Sequence, residues 1–115
     1  MQIKQLNHGE VYWVNIPFRD NTSTECGTRP CVIVSSSERF NNSPVVMICP
    51  MTTKLDTYPF HAKVDVNRQV GEVLCDHIMT IDVSQLGDYI CTLNPVEIAV
   101  VDNYMKMALG IYGVV

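Results

Sequence analysis

Basic residues are scarce in this 115-residue chain: eight Lys and Arg stand against twelve Asp and Glu, for a formal net charge of −4 and a pI near 5.1. Non-specific grip on nucleic acid comes mainly from Lys and Arg neutralising phosphates, so this balance argues against broad binding, and any basic patch must be local. Long apolar runs are missing too. The longest, Val45 to Cys49, falls far short of the ~20 residues a membrane-spanning helix needs, and the opening Met1-Gln2-Ile3-Lys4-Gln5-Leu6 has no apolar signal region. A soluble cytosolic protein is the expectation. Repeats, linkers and low-complexity runs are absent, and the length leaves room for a single domain over residues 1–115.

Paired cysteines are the next absence. The five cysteines, Cys26, Cys31, Cys49, Cys75 and Cys91, are odd in number, contain no Cys-x-x-Cys and sit among apolar neighbours. They read as small buried hydrophobes in a reducing compartment. Cys75 with His77, or Cys26 with Cys31, could each supply two metal ligands, but no second pair with finger-like spacing follows, so the expectation is no metal.

What charge there is lies unevenly. Arg19, Arg29, Arg39, Lys54 and Lys63 fall in the first 63 residues, whereas the last 40 hold one basic residue, Lys106. The N-terminal half is therefore the expected anion-binding face. Glu10 to Ile16 reads as a central strand with Trp13 in the core rather than serving as a base-stacking platform, and the polar stretch from Pro17 to Thr28 as a mobile loop. Cys31 to Ser36 and Val45 to Cys49 continue a meander of strands. In Phe60 to Val66 strict alternation turns Phe60, Ala62, Val64 and Val66 inward and His61, Lys63 and Asp65 outward, and plain solvation of that outward face competes with substrate contact. Glu72 to Cys75 and Ile78 to Ile81 read as one bent strand, Ser84 to Gly87 as a helical turn, and Tyr89 to Thr92 as a last strand. The clearest element is a helix: Asn94 at the N-cap, Pro95 at the first position, Glu97 three residues after the cap, and Ile98, Val101, Met105, Ala108, Leu109 and Tyr112 on one stripe, ending near Gly110. Many short strands and one terminal amphipathic helix predict a mainly β fold, a small barrel with a C-terminal α-helix.

Two stretches carry chemistry. In Gly27-Thr28-Arg29-Pro30, Gly27 permits a turn and Pro30 pushes Arg29 into an extended conformation, so that the loop delivers a guanidinium to the mouth of the next strand. Pro50-Met51-Thr52-Thr53-Lys54 presents hydroxyls where another strand gives out. With Gly9-Glu10-Val11-Tyr12-Trp13-Val14 ahead of them, and Asp76-His77-Ile78, Thr80-Ile81-Asp82 and Leu93-Asn94 behind, these motifs resemble, nearly end to end, the MazF/PemK (Kid) endoribonuclease toxins of type II toxin-antitoxin systems.

That resemblance sharpens the fold to a partly open SH3-like barrel of the MazF/CcdB type, with the loop before Arg29 over an RNA site. It implies an mRNA interferase: Arg29 and Thr52 as the catalytic pair cutting single-stranded RNA to 2′,3′-cyclic phosphate and 5′-hydroxyl ends, a homodimer with RNA in a groove near both copies of Arg29, and a cognate antitoxin whose acidic segment folds across that groove. His77 stands where the family commonly has glutamine.

On the residues alone, an arginine fork suits a pentavalent phosphorane, and Thr52 can hydrogen-bond a non-bridging oxygen or orient the guanidinium. Arginine stays protonated, which leaves Glu25, His61 and His77 as proton carriers by chemistry, with Arg19, Thr53, Lys54 and Lys63 as accessory or RNA-binding groups. A cation and hydroxyls without a carboxylate cluster predict cleavage that needs no cofactor. An ion pair of Arg29 with Glu25 or Asp76, and a Thr52 that merely satisfies neighbouring backbone, are the structural alternatives. A gyrase-binding toxin of the CcdB type is a different class with a similar fold, but it uses a tryptophan near the C-terminus, and the single tryptophan here is Trp13. A catalytically silent binding relative is the third reading.

Overall fold

The computed structural model describes residues 5–16, 27–37, 43–55 and 59–112. Its strands are β1 (Glu10–Ile16), β2 (Gly27–Ile33), β3 (Val45–Thr52), β4 (His61–Val66), β5 (Gln69–Leu74), β6 (Met79–Asp82) and β7 (Leu86–Thr92), followed by α1 (Pro95–Ala108). A 3-10 turn at Val83–Gln85, capped by Asp82, joins β6 to β7. The sheet runs β4-β5-β3-β2-β1-β7, with β6 also on β3, and every pairing is antiparallel. This is the expected mainly β architecture, a curled half-barrel with one C-terminal helix.

The strand that organises it is β3. One edge takes β2 through Ile33↔Ile48, Val32↔Cys49 and Cys31↔Pro50. The other edge takes β6 along Val45 to Ile48 and then β5 at Met51 and Thr52. The single bent strand expected over Glu72 to Ile81 is therefore two strands laid end to end on one edge of β3, divided by a turn in which the His77 amide donates to the Leu74 carbonyl at 3.0 Å.

Alternating side chains bury both faces of this sheet. Val11, Val32, Cys49, Met51, Val64 and Val73 form one core, with Val101 of α1 on it; Tyr12, Val14, Cys31, Ile33, Val46 and Ile48 form the other, closed by Leu6 and by Met79 and Ile81 of β6. Phe60 lies in the turn before β4, half-buried rather than inside.

α1 begins as its residues dictate. Asn94 Oδ1 accepts from the Glu97 amide at 2.8 Å, Glu97 Oε1 accepts from the Asn94 amide at 3.0 Å, and Pro95 fills the first turn. Glu97 also ties the helix to β4, because its Oε2 accepts from the Asp65 amide at 2.8 Å. At the other side His8 bridges Asp102 Oδ1 (2.7 Å) and the Val34 carbonyl (3.2 Å). The apolar stripe stops short of the expectation: Leu109 and Tyr112 lie beyond the last helical residue and are exposed, since the chain turns at Gly110 with φ 75°.

Cys31, Cys49 and Cys75 are buried unpaired thiols and Cys91 a half-buried one, while Cys26 lies outside the described residues. Burial pushes the Cys31 and Cys75 thiols up to about 12, against the Arg29 charge at Cys31 and a backbone hydrogen bond from Ala62 at Cys75. Burial pushes Cys49 up as well, helped by its neighbours Cys75 and Cys31. A thiol whose ionisation is harder in the folded chain stabilises the fold below the unfolded thiol's value near 9, and that stability is lost as pH rises from there toward 12. The denaturation midpoint should hold steady from pH 7 to 8.5 and fall steadily above pH ~9. Native protein at pH 8 should react with iodoacetamide at these three positions only as fast as it unfolds; rapid labelling of the native state would contradict their burial.

Candidate active site

Arg29 lies within β2, opposite Val14 of β1, rather than at the end of a loop as the sequence suggests. Pro30 is accommodated inside the strand because β2 has lost β3 at this point and has an open edge, the setting in which a proline is tolerated. Carried two residues past Cys31↔Pro50, the β2–β3 register sets Arg29 across from Thr52. The arginine spans the gap between the diverging strands: its Nη1 donates to the Met51 carbonyl at 3.0 Å. One donor of the fork is thus fixed on the peptide that precedes Thr52.

Thr52 is the last residue of β3, and its Oγ1 accepts from the Lys54 amide at 3.1 Å, closing the turn that follows. Accepting that bond leaves the hydroxyl hydrogen for another acceptor. Thr53 and Lys54 are both exposed beyond the strand.

Across the other edge, Thr52 pairs with Glu72, and Glu72 with Lys63. Directly opposed residues share a face, so the row Arg29, Thr52, Glu72 and Lys63 runs along one end of the sheet. Lys63 is exposed, but Glu72 is the single buried charged residue among the described ones, 4% exposed. Its Oε1 lies 3.1 Å from His61 Nδ1, and the His61 side chain is only 10% exposed. The outward face of β4 is therefore not simply solvated at His61. Asp76 Oδ1 stands between the two imidazoles, 3.9 Å from His61 Nε2 and 3.7 Å from His77 Nε2. His77 Nδ1 is buried with no hydrogen-bond partner among the described residues. Sequence reasoning missed Glu72; the available signal was a carboxylate at a strand position flanked by Gly71, Val73 and Leu74. Arg19 and Glu25 lie outside the described residues. Among the described residues no group of three or more His, Cys, Asp or Glu could hold a metal ion.

Trp13 also departs from the expectation. It is 43% exposed rather than in the core, because its cross-strand partner Pro30 lies where β2 and β3 have parted. The parting opens a cavity of ≈ 320 Å³ walled by Trp13, Pro30, Met51 and Ile90 and rimmed by Thr52 and Thr53. The β4–β5 hairpin closes it with Val66, Asn67, Gln69 and Gly71, and none of its walls comes from α1. The hairpin tip has two left-handed residues, Asn67 (φ 50°) and Arg68 (φ 72°), and is pinned by the Arg68 amide donating to Asp65 Oδ1 at 2.7 Å. Two such residues in succession make the tight turn whose twist suits a hairpin.

Residues 7–109 match the family of PemK-like, MazF-like toxins of type II toxin-antitoxin systems. Solved structures agree in fold. An endoribonuclease from a mycobacterial species, in complex with its cognate antitoxin, superposes with a TM-score of 0.80 at 24% identity, covering 95% of this chain and 99% of the other. MazF from Deinococcus radiodurans gives 0.81 at 23% identity over 94% and 99%. The Mycobacterium tuberculosis toxin MazF-mt6 gives 0.74 at 20% identity over 90% and 99%.

Proposed function

The chain belongs to the family of PemK-like, MazF-like toxins of type II toxin-antitoxin systems, and from that membership and the geometry at Arg29 and Thr52 we propose that it is an endoribonuclease toxin that cuts single-stranded RNA without a metal ion. In the reaction the ribose 2′-oxygen attacks phosphorus and the bond to the 5′-oxygen breaks. The 2′-hydroxyl gives up its proton, the 5′-oxygen gains one, and the ends are a 2′,3′-cyclic phosphate and a 5′-hydroxyl. The observation that carries this reading is the Arg29 fork, anchored by one donor on the Met51 carbonyl beside the Thr52 hydroxyl. Its other N–H groups suit two phosphoryl oxygens whose charge grows in the transition state, and Thr52 adds a neutral hydrogen bond.

For the protons the geometry favours His61 over His77. His61 shares the Thr52 face through Glu72, and the Glu72 carboxylate on Nδ1 fixes the ring's orientation. Lys54, just beyond the end of β3, and Lys63, at the far end of the row from Arg29, add positive charge. The partners are the RNA, a second copy of this chain and an antitoxin whose acidic segment competes with RNA for Arg29; in support of an antitoxin, the mycobacterial endoribonuclease is seen in complex with its cognate antitoxin. No helix among the described residues is long and apolar enough to cross a membrane, and we assign the cytoplasm as the place of action.

Digesting a long single-stranded RNA in EDTA and sequencing the new 5′ ends tests the reading. Cutting at a short recurrent sequence, leaving 5′-hydroxyl ends, is expected. A strict requirement for magnesium would refute the mechanism.

A further inference from the structure

We infer that the cavity under Trp13 receives one nucleobase of the RNA, stacked on the indole with its edge toward Asn67 and Gln69, and that it sets the base preference at one position flanking the cut. The inference rests on the proposed ribonuclease function and adds a site to it.

The cavity opens on the other face of the sheet from Arg29, because its wall residues Pro30 and Met51 are the strand neighbours of Arg29 and Thr52, but Thr52 forms part of its rim where β3 ends. A nucleotide whose phosphate rests on Arg29 and Thr52 therefore reaches the cavity with a neighbour's base, carried past the end of β3. The ≈ 320 Å³ volume falls at the lower end of the ~300–1,000 Å³ typical of small-molecule sites, suited to a flat heterocycle and too small for an element of secondary structure. Its walls are the indole of Trp13 and the side chains of Pro30, Met51 and Ile90. Single-stranded RNA is read by splaying a base onto an aromatic ring and bonding its edge, and that requires a π-face and a few polar groups together.

Both are present. Asn67 and Gln69 each bring an amide with donors and an acceptor to a pocket whose other polar lining residues are Thr52 and Thr53. Among the described residues Gln69 Nε2 engages the neighbouring Val70 carbonyl alone, at 3.3 Å, a bond readily exchanged for a base edge. Asn67 is preset by the hairpin tip, whose left-handed backbone and Asp65 pin hold it at the cavity. An aliphatic side chain from a protein partner would make no use of those amides, which favours a base as the occupant. Arg68, next to Asn67 on the tip, adds a positive charge where the strand of RNA would continue.

Trp13 is the only tryptophan, so its fluorescence reports this site alone. The full-length protein is titrated with four single-stranded oligonucleotides carrying a 2′-deoxy sugar at the cut position, which cannot be cleaved, and differing in the base next to it. Quenching that depends on that base, with midpoints about tenfold apart or more, is expected. In parallel, RNA of mixed sequence is cut by the parent and by Asn67→Ala and Gln69→Ala, and the 5′ ends are sequenced. The ratio of cutting at the preferred base to the others should fall about tenfold at one position and hold at the rest. Trp13→Phe, which keeps an aromatic face if Trp13→Ala folds poorly, should keep the preference. Cleavage by the parent with base-independent fluorescence, and an unchanged cut sequence in both amide variants, would overturn the cavity's role and leave the ribonuclease reading standing. Loss of dimer or antitoxin binding in a folded Trp13→Ala protein with the cut sequence intact would assign the cavity to a protein partner and overturn it as well. Absence of cleavage by the parent despite base-dependent quenching would refute the enzyme and retain the base site.

Discussion

Arg29→Lys should fold normally and cut RNA at least about a hundredfold more slowly, a loss on the order of 2–4 kcal/mol and comparable to removing an oxyanion-hole donor. The charge survives the substitution and the shape does not. A guanidinium can keep one N–H on the Met51 carbonyl and still offer a planar pair to two phosphoryl oxygens. An ammonium has three donors on a single nitrogen and cannot satisfy both directions with the same alignment. Thr52→Ala should cost less, about 1 kcal/mol or severalfold in rate, since it removes one neutral hydrogen bond. It also strips the Lys54 amide of its acceptor, but that turn is exposed and water replaces the lost partner. Thr53→Ala should lower kcat less than Thr52→Ala, because Thr53 lies beyond the end of β3 and outside the row that carries Arg29 and Thr52. Single-turnover rates, with circular dichroism and melting temperature for each variant, decide the matter. Parent-level cutting by a folded Arg29→Lys protein would show that charge alone suffices, and an inactive Thr53→Ala beside an active Thr52→Ala would show that the wrong threonine was chosen.

How much of this was legible beforehand depends on how local the cause is. α1 is announced by three consecutive local signals, Asn94, Pro95 and Glu97, and each makes the contact its chemistry predicts. The order of strands was readable from hydrophobic pattern and turn residues for the same reason. The limits of β2 were not. Gly27 to Pro30 looks like loop by composition and becomes strand because β1 lies alongside to pair with it, a non-local cause. Trp13 was misplaced through the mirror image of that effect: an aromatic in an apolar strand belongs inside unless the neighbouring strands part, and here they part after Pro50. Alternation along β4 placed His61 opposite the core side, which is correct, but one strand cannot reveal that Glu72 of β5 lies there to engage it. Arg29 and Thr52 could be named from motif spacing, whereas the groups that hold and surround them come from elements far apart in sequence.

Gly71→Val should lower stability by about 3 kcal/mol and, in the protein that remains folded, slow cutting well beyond what the stability loss explains. Gly71 is buried in β5, where a side chain's first carbon would sit 2.8 Å from the Thr52 carbonyl oxygen and 3.5 Å from Met51 Cε. The methionine tip can swing aside, but the carbonyl is backbone and moves only with β3. β5 is joined to this end of β3 by just Met51↔Val73 and Thr52↔Glu72, so the least costly relief is to pry these strands apart at Thr52 itself. A shift there of about 1 Å displaces both the hydroxyl and the carbonyl on which Arg29 rests, and misplacement on that scale costs up to about a hundredfold in rate. Gly71→Ala should show the same sign with smaller size, near 1–2 kcal/mol. Gly27→Ala separates crowding from backbone strain: its φ of 92° disfavours any side chain, but none of the described residues lies within 4 Å of the added carbon. It should therefore lose about 1–2 kcal/mol without the clash that moves Thr52. Urea denaturation curves give the stability differences, and cleavage rates taken well below each midpoint isolate the effect on the site. A Gly71→Ala protein with the parent's midpoint and rate would show that β3 and β5 part freely at Thr52, and that the position of the hydroxyl does not depend on their close approach.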